Sequence, residues 1–93
     1  MYMFQNQFEI MRTNMPVEMI THLKVIIDTL AKEEIDSNQH IEKIYCQMRA
    51  KYGGQWEIHA NVYIPDDFNL DYKDYIVFKT KCHSKVVLCK KQE

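Results

Sequence analysis

The chain has 93 residues, of which 46% are hydrophobic and 12% aromatic, and its formal net charge is -1. This composition is typical of one small folded domain and argues against a disordered chain. The near-neutral charge argues against nucleic-acid binding as the main role, and no apolar run approaches the ~20 residues that span a bilayer. We therefore expect one globular domain with no nucleic-acid partner and no membrane insertion.

Cysteine usage and the start of the chain favour a cytoplasmic protein. Cys46, Cys82 and Cys89 are an odd number of cysteines at no metal-binding spacing. A secretory signal peptide is not predicted, since polar residues follow directly after Phe4.

The first part of the chain predicts a short strand and a helix. Residues 7–12 alternate between polar and apolar side chains, as in a half-buried strand. Asn14 near the cap, Pro16 at an early position and Glu18 in the first turn are helix-start signals. We expect this helix to end near Lys32. Its apolar face, interpreted as core, consists of Met19, Leu23, Ile26, Ile27 and Leu30.

A second helix is expected after Asp36. Asp36 and Gln39 have the spacing of a capping box, and Gly53 is the expected left-handed stop. The apolar stripe of this helix, also interpreted as core, consists of Ile41, Ile44, Tyr45, Met48 and Tyr52.

The remainder predicts strands, because apolar residues alternate from Trp56 onward. The expected elements are a strand at Trp56–Ile64, a break at residues 65–67, a short strand at Phe68–Leu70, a strand at Tyr75–Thr80, a turn at Lys81–Ser84 and a strand at Lys85–Cys89. The fold class is α+β, with two helices packed on an antiparallel sheet of four or five strands. Residues 14–93 are assigned to the domain and residues 1–13 to an N-terminal segment or linker.

Two patterns that resemble metal sites do not predict one. Asp67–Asp71 imitates the start of an EF-hand loop, but Tyr72 stands where the loop needs glycine and Phe78 where it needs glutamate. The pair Cys82 and His83 could be grouped with Cys89 and His59, but adjacent zinc ligands lack the usual spacer. With no convergent nucleophile or acid–base set, we expect no cofactor, no metal, no catalytic residues and no enzyme activity.

Four segments, in this order, resemble a known family. They are Asn14–Met19 at the first helix, Lys51-Tyr52 with Trp56 at the helix–strand junction, Tyr75–Phe78, and Val86–Lys90. Their order and spacing resemble the eight-kilodalton dynein light chain family over most of residues 8–90.

The resemblance implies a cytoplasmic, cytoskeleton-associated homodimer. In the family, one strand of each subunit crosses to complete its partner's sheet, and that strand corresponds to Ile64–Leu70. Extended peptides, including one from the dynein intermediate chain, bind by strand addition in grooves at the dimer interface. The implied interface residues are Glu57, His59, Asn61, Tyr63, Ile64 and Phe68. The implied peptide groove consists of Ser37, Asn38, Ile64, Pro65, Asp66, Phe68, Asn69, Leu70, Tyr75, Val77, Lys79 and Lys85.

This chain departs from the family pattern at the groove. Pro65-Asp66 replaces a Gly-Ser pair, Asn69-Leu70 replaces Thr-His, and Ser37-Asn38 replaces the acidic–basic pair that receives the peptide's glutamine. Lys79 and Lys85 replace aromatic and small apolar residues. We therefore expect a dimerisation and protein-interaction domain with an altered groove; the alternative is a hub that still binds extended peptides.

In keeping the framework while changing the groove, the chain also resembles the C-terminal domains of trematode tegumental calcium-binding proteins. In those proteins an EF-hand pair precedes the light-chain-like domain. Calcium binding, on this interpretation, would belong to a region before the present sequence.

Glu57 predicts an unusual response of the dimer to pH. Many family members have a histidine there, whose protonation splits the dimer in mild acid. If two Glu57 carboxylates approach without a lysine between them, their pKa rises and association holds or strengthens in acid. If a lysine or arginine pairs with Glu57, its pKa falls and little change is expected between about pH 7 and 5.

Overall fold

A computed structural model describes residues 8–61, 63, 72–80 and 83–91. Within these residues the chain forms four strands and two helices. In chain order they are β1 (Phe8–Thr13), α1 (Val17–Leu30), α2 (Ser37–Tyr52), β2 (Trp56–Ala60), β3 (Tyr72–Thr80) and β4 (Val86–Lys91). The α+β class expected from the sequence is confirmed.

The four strands form one antiparallel sheet in the order β1-β3-β4-β2. The short first strand expected near residues 7–12 is present as β1, and it pairs with β3. Neighbours in the sheet are therefore distant in sequence, and the chain between β2 and β3 must connect the two sides of β4.

Helix α1 buries all five residues of its predicted apolar face, Met19, Leu23, Ile26, Ile27 and Leu30. Its N-terminus differs from the expectation, because the cap residue is Pro16 and no side chain caps the helix. The Asn14 side chain instead accepts a hydrogen bond from the Tyr75 N–H at 2.7 Å and donates to the Lys73 carbonyl at 3.1 Å. Asn14 therefore fixes the entry of α1 against β3 rather than capping the helix.

Helix α2 begins with the predicted capping box. The Asp36 carboxylate accepts from the Gln39 N–H at 2.9 Å, and the Gln39 side chain accepts from the Asp36 N–H at 3.3 Å. Gly53 ends the helix with φ of 65° and ψ of -175°. The positive φ agrees with the prediction, but the extended ψ differs from that of a left-handed helical residue, and Gly54 adds a second positive φ before β2 begins.

The capping box gives a stability prediction. Replacing Asp36 with alanine is expected to lower the free energy of unfolding by about 1 kcal/mol, because an N–H group in the first turn of α2 loses its acceptor. Urea denaturation followed by circular dichroism measures this change. Asp28→Ala, at an exposed position inside α1, is the matched control and should change stability by less than about 0.5 kcal/mol. Equal losses in both variants would contradict the prediction.

Three strand boundaries differ from the sequence expectations. β2 ends at Ala60, because Asn61 turns the chain with a φ of 59°. β3 begins at Tyr72, three residues earlier than expected, with a register irregularity between Tyr72 and Asp74. β4 runs on to Lys91. The break expected at residues 65–67 and the strand expected at residues 68–70 lie outside the described residues.

The sheet has apolar residues buried on both faces. One face packs against the helices through Trp56, Ile76, Phe78, Val86 and Leu88. The opposite face carries a second cluster, formed by Tyr75, Val77, Val87 and Cys89 with Tyr72 packed against it. The predicted alternation in β3 is confirmed, since Ile76 and Phe78 lie opposite Tyr75 and Val77.

Candidate functional site

The candidate site is built on β2, which lies at one edge of the sheet. Among the described strands β2 pairs only with β4. Two hydrogen bonds flank this pairing: the Lys91 N–H donates to the Gln55 carbonyl at 2.9 Å, and the Asn61 N–H donates to the Lys85 carbonyl at 2.8 Å.

These flanking bonds fix which backbone groups of β2 point outward. Hydrogen-bonded and non-hydrogen-bonded pairs alternate along an antiparallel ladder. Glu57 and His59 therefore direct their N–H and C=O groups toward β4. Trp56, Ile58 and Ala60 direct theirs toward an edge that no other described strand covers. Such a row of donors and acceptors is a template for pairing with another strand.

A cleft between α2 and β2 runs beside this edge, and we call it the α2–β2 cleft. It consists of two adjoining hollows of about 520 and 270 Å³. The larger is lined by Asn38, Ile41, Glu42, Tyr45, Cys46, Trp56, Glu57, Ile58 and His59. The smaller is lined by Tyr45, Arg49, Gly54, Gln55, Trp56, Glu57 and Lys91. The cleft thus combines an apolar floor with polar groups at its ends, as ligand and peptide sites commonly do.

The predicted apolar stripe of α2 explains how the cleft arises. Ile44 and Met48 are buried in the core as expected. Ile41, Tyr45 and Tyr52 are only half-buried, and they pack against the core cluster from outside it. Ile41 and Tyr45 therefore present part of their surface to the cleft.

Glu57 is the centre of a polar cluster on the face of β2 opposite the helices. Its carboxylate lies 3.0 Å from Lys91 Nζ, accepts from the Tyr72 hydroxyl at 3.2 Å and lies 3.3 Å from His59 Nε2. The hydrogen bond from Lys91 is the main reason that the pKa of Glu57 is lowered from its ordinary value. Of the two alternatives set out for Glu57, the structure has the one in which a lysine pairs with it.

The pairing gives a pH prediction for stability. A carboxyl with a lowered folded-state pKa stabilises the fold fully above its unfolded pKa of about 4.3, and loses that contribution as pH falls through the folded pKa. Lys91→Met is therefore expected to lower the urea midpoint at pH 7, and the difference from wild type should shrink as pH falls below about 4. Lys73→Met, at an exposed position of β3, should leave the midpoint unchanged at pH 7 and at pH 3. A Lys91→Met deficit that is no smaller at pH 3 than at pH 7 would mean that packing and not charge is responsible.

Tyr72 and Cys89 lie next to this cluster and have strongly shifted pKa values. Burial, followed by the nearby charge of Glu57, raises the pKa of Cys89 to about 12. Burial, followed by the nearby Cys89 thiol, raises the pKa of Tyr72 to about 12. Both groups are protonated at neutral pH, so Cys89 behaves as an apolar core residue and not as a nucleophile.

Four of the implied interface residues are described, and they lie on β2 or just after it. Glu57 is half-buried, His59 and Asn61 are exposed, and Tyr63 is 86% exposed. Ile64 and Phe68 lie outside the described residues.

The described groove residues lie at the start of α2, on β3 and beside the β3–β4 turn. Asn38 lines the α2–β2 cleft, and Ser37 precedes it at the exposed start of α2. Lys79 is exposed on β3 and lies 3.3 Å from a carboxylate oxygen of Glu9 on β1. Lys85 is half-buried beside the β3–β4 turn.

The other groove positions are buried or undescribed. Tyr75 and Val77 belong to the buried second cluster. Pro65, Asp66, Asn69 and Leu70 lie outside the described residues, as does Phe68.

Five cleft residues on α2 were not predicted as site residues. Ile41 and Tyr45 were assigned to the core, and Glu42, Cys46 and Arg49 were given no role in a site. Helical spacing places Ile41 and Tyr45 in the same apolar stripe as core residues, so the sequence carries no signal that separates them from the core.

The metal patterns considered in the sequence gain no support from the geometry. No group of three or more potential ligands forms among the described residues. His83 is buried in the β3–β4 turn, where burial and then the charge of His40 lower the pKa of its imidazole. Cys82 and the EF-hand-like start at residues 67–71 lie outside the described residues. No helix in the described part of the chain is long and apolar enough to cross a membrane.

Comparison with known proteins finds a likeness in structure and not in sequence. No protein-family model and no curated protein matches the chain. Solved structures do match, among them two of the dynein light chain-like domain of the Fasciola hepatica calcium binding protein FhCaBP2. The mercury derivative superposes with a TM-score of 0.68 at 16% identity, covering 94% of this chain and 94% of that chain. The native crystal gives 0.65 at 16% identity, covering 92% and 91%.

Proposed function

We propose that this chain, which has the dynein light chain-like fold, is a non-enzymatic dimerisation and protein-interaction domain. The observation that carries the proposal is the outward-facing edge of β2 beside the α2–β2 cleft. An edge strand offers main-chain hydrogen bonds to an incoming strand, and an adjoining apolar cleft offers pockets for its side chains. The domain of FhCaBP2 that has the same fold is part of a calcium binding protein. The shared fold supports an adaptor role for this chain rather than catalysis.

We propose that the strand added to the β2 edge comes from a second copy of this chain. A domain of 93 residues buries only about 60–65% of its unfolded surface, and small domains commonly gain stability by association. The exposed residues His59, Asn61 and Tyr63 lie on and just after β2, where a second copy would contact them.

A substitution at Ala60 tests whether the β2 edge makes the dimer. Ala60→Pro removes an N–H that points away from β4, so the sheet within one copy should remain while strand addition fails. Sedimentation at micromolar concentration is expected to show wild type at about twice the 11.2 kDa chain mass and Ala60→Pro as a monomer. Ala60→Val, which keeps the N–H, is the control and should dimerise.

Two outcomes would count against the proposal. A wild-type protein that remains monomeric at micromolar concentration would refute dimerisation. An Ala60→Pro variant that dimerises as well as wild type, with circular dichroism unchanged, would move the interface away from β2.

Peptides with the family's glutamine-centred motif are expected to bind weakly, with a dissociation constant above about 100 μM. Ser37 and Asn38 supply no charge at the start of α2, and charge-assisted hydrogen bonds are about twice as strong as neutral ones. Calorimetric titration measures the affinity. Low-micromolar binding would instead favour the peptide-binding hub. A scrambled peptide of the same composition is the control.

A further inference from the structure

Arg49 brings a positive charge without a partner to the smaller hollow of the α2–β2 cleft. The residue lies in the last turn of α2 and lines this hollow, whose volume is about 270 Å³. Within the residues that the structure describes, no hydrogen bond or ion pair involves its side chain, which is exposed. The planar guanidinium carries five N–H donors and no acceptor. Arg49 can therefore bind an anion at the hollow without giving up a contact within the chain.

Lys91 adds a second positive charge to the same hollow, beside the carboxylate of Glu57. Lys91 Nζ lies 3.0 Å from Glu57 Oε2, and both residues line the hollow. The Glu57 carboxylate also accepts a hydrogen bond from the Tyr72 hydroxyl at 3.2 Å and lies 3.3 Å from His59 Nε2. Two positive charges and one negative charge line the hollow, so its net charge is +1. The hollow therefore attracts anions rather than cations.

The connection between α2 and β2 supplies backbone donors. Gly54 and Gln55 line the hollow and lie between Tyr52, the last residue of α2, and Trp56, the first residue of β2. Neither N–H group donates to an acceptor in the described part of the chain. The Gln55 carbonyl, by contrast, accepts from the Lys91 N–H at 2.9 Å, which holds this connection beside the end of β4. Backbone N–H groups together with arginine and lysine are the donors that proteins commonly use to bind phosphate.

We propose that the smaller hollow binds the phosphate group of a small phosphate monoester. At neutral pH such a group carries a charge of about −1.5 to −2 and three acceptor oxygens. It can accept from the guanidinium of Arg49, from Lys91 and from the two backbone N–H groups, whereas a carboxylate offers a smaller charge and only two oxygens. The inference goes beyond the proposed function and does not depend on dimerisation, because every group belongs to one chain.

The larger hollow of the cleft gives space for the organic part of the ester. It adjoins the smaller hollow, has a volume of about 520 Å³ and shares Tyr45, Trp56 and Glu57 with it. Ile41 and Ile58 add apolar surface to its lining. An aromatic or aliphatic group attached to the phosphate contacts these side chains, as in other ligand sites that are mostly apolar with a few polar groups. Its burial adds affinity that inorganic phosphate lacks.

Binding is measured with phenyl phosphate as the probe, by NMR of the isotope-labelled chain at neutral pH and constant ionic strength. The amide signals of Gly54 and Gln55 are expected to shift with a dissociation constant on the order of 1 mM or below. Inorganic phosphate should shift the same signals with at least about threefold weaker affinity, since it leaves the larger hollow unfilled. Phenol, which has the ring without the phosphate, should leave both signals in place.

Neutral replacement of Arg49 tests its part in the site. Arg49→Met keeps a long flexible side chain but removes the charge and the donors, and should weaken phenyl phosphate binding at least about tenfold. Arg49→Lys, which supplies a point charge without the planar fork, should recover part of the affinity. Lys24→Met, at an exposed position of α1, removes a positive charge away from the cleft and should bind within about twofold of wild type. Circular dichroism establishes that each variant is folded.

The outcomes separate a phosphate site from its alternatives. Equal affinity for phenyl phosphate and inorganic phosphate would identify the ligand as the free ion and overturn the ester. Shifts with phenol as large as those with phenyl phosphate would show an apolar site and refute the phosphate site. Unchanged binding in Arg49→Met, or the same loss in Lys24→Met, would refute the contact with Arg49.

The same measurements keep this inference distinct from the proposed function. Phosphate binding by a wild type that sediments as a monomer would support the phosphate site while refuting dimerisation. A dimer whose Gly54 and Gln55 signals do not move on addition of phenyl phosphate would refute the phosphate site while dimerisation stands.

Discussion

Truncating Phe78 to alanine is expected to lower the free energy of unfolding by about 3–5 kcal/mol. Phe78 is fully buried between the helices and the sheet, and its ring packs edge-on against that of Phe8, with 5.3 Å between centroids. The change removes the hydrophobic burial of the ring, its aromatic contact and the support that it gives to β1. Domains of this size have a total stability of about 5–14 kcal/mol, so the loss is a large fraction of the whole.

Urea denaturation at one fixed protein concentration measures the effect of Phe78→Ala. Fixing the concentration matters because self-association contributes to the stability of a dimer. Val25→Ala, on the exposed side of α1, removes apolar atoms where water already contacts them and should change stability by less than about 0.5 kcal/mol. A loss below about 1 kcal/mol for Phe78→Ala would mean that the core on this side of the sheet is not packed as described.

Replacing Trp56 with alanine is expected to cost about 3–5 kcal/mol as well, for a different combination of reasons. Trp56 is 4% exposed, and its indole N–H donates to the Gly53 carbonyl at 2.7 Å. Its ring also lies 6.3 Å from that of Tyr52, measured between centroids. The residue therefore joins the last turn of α2 to the first residue of β2, and its loss loosens both walls of the α2–β2 cleft.

Trp56→Phe separates the two contributions. Phenylalanine keeps an aromatic ring in the core but lacks the donor, so it should lose about 0.5–1.5 kcal/mol for the hydrogen bond and less than Trp56→Ala in total. Circular dichroism has to follow unfolding, since these variants lack the only tryptophan. If both variants lose the same stability, the hydrogen bond to Gly53 and not the ring volume holds the junction.

The parts of the fold that the sequence predicted well depend on residues close together in the chain. The apolar face of α1 follows from a three-to-four residue spacing, and the Asp36–Gln39 box from a spacing of three. Asn14 was misassigned because its partners, Tyr75 and Lys73, lie about sixty positions away and are brought near only by the pairing of β1 with β3. Local patterns carry no information about such contacts.

The candidate site was predictable only in part, for the same reason. The exposed face of β2 follows from its alternation, which correctly separates Glu57 and His59 from Trp56 and Ile58. Ile41 and Tyr45 belong to the same apolar stripe as the buried Ile44 and Met48, so periodicity could not distinguish them from core. The Glu57–Lys91 pair required the register of β2 against β4, which a single sequence does not specify.

The sheet buried on both faces has a consequence for the unfolded chain. Two strands contain uninterrupted runs of β-prone apolar residues, Tyr75–Phe78 and Val86–Cys89. Such runs stack readily with identical copies into cross-β assemblies when they are exposed. Lysines lie directly beside both runs, with Lys79 after the first and Lys85 and Lys90 on either side of the second. In-register stacking would bring these like charges together, so they act as gatekeepers that hinder aggregation during synthesis and folding.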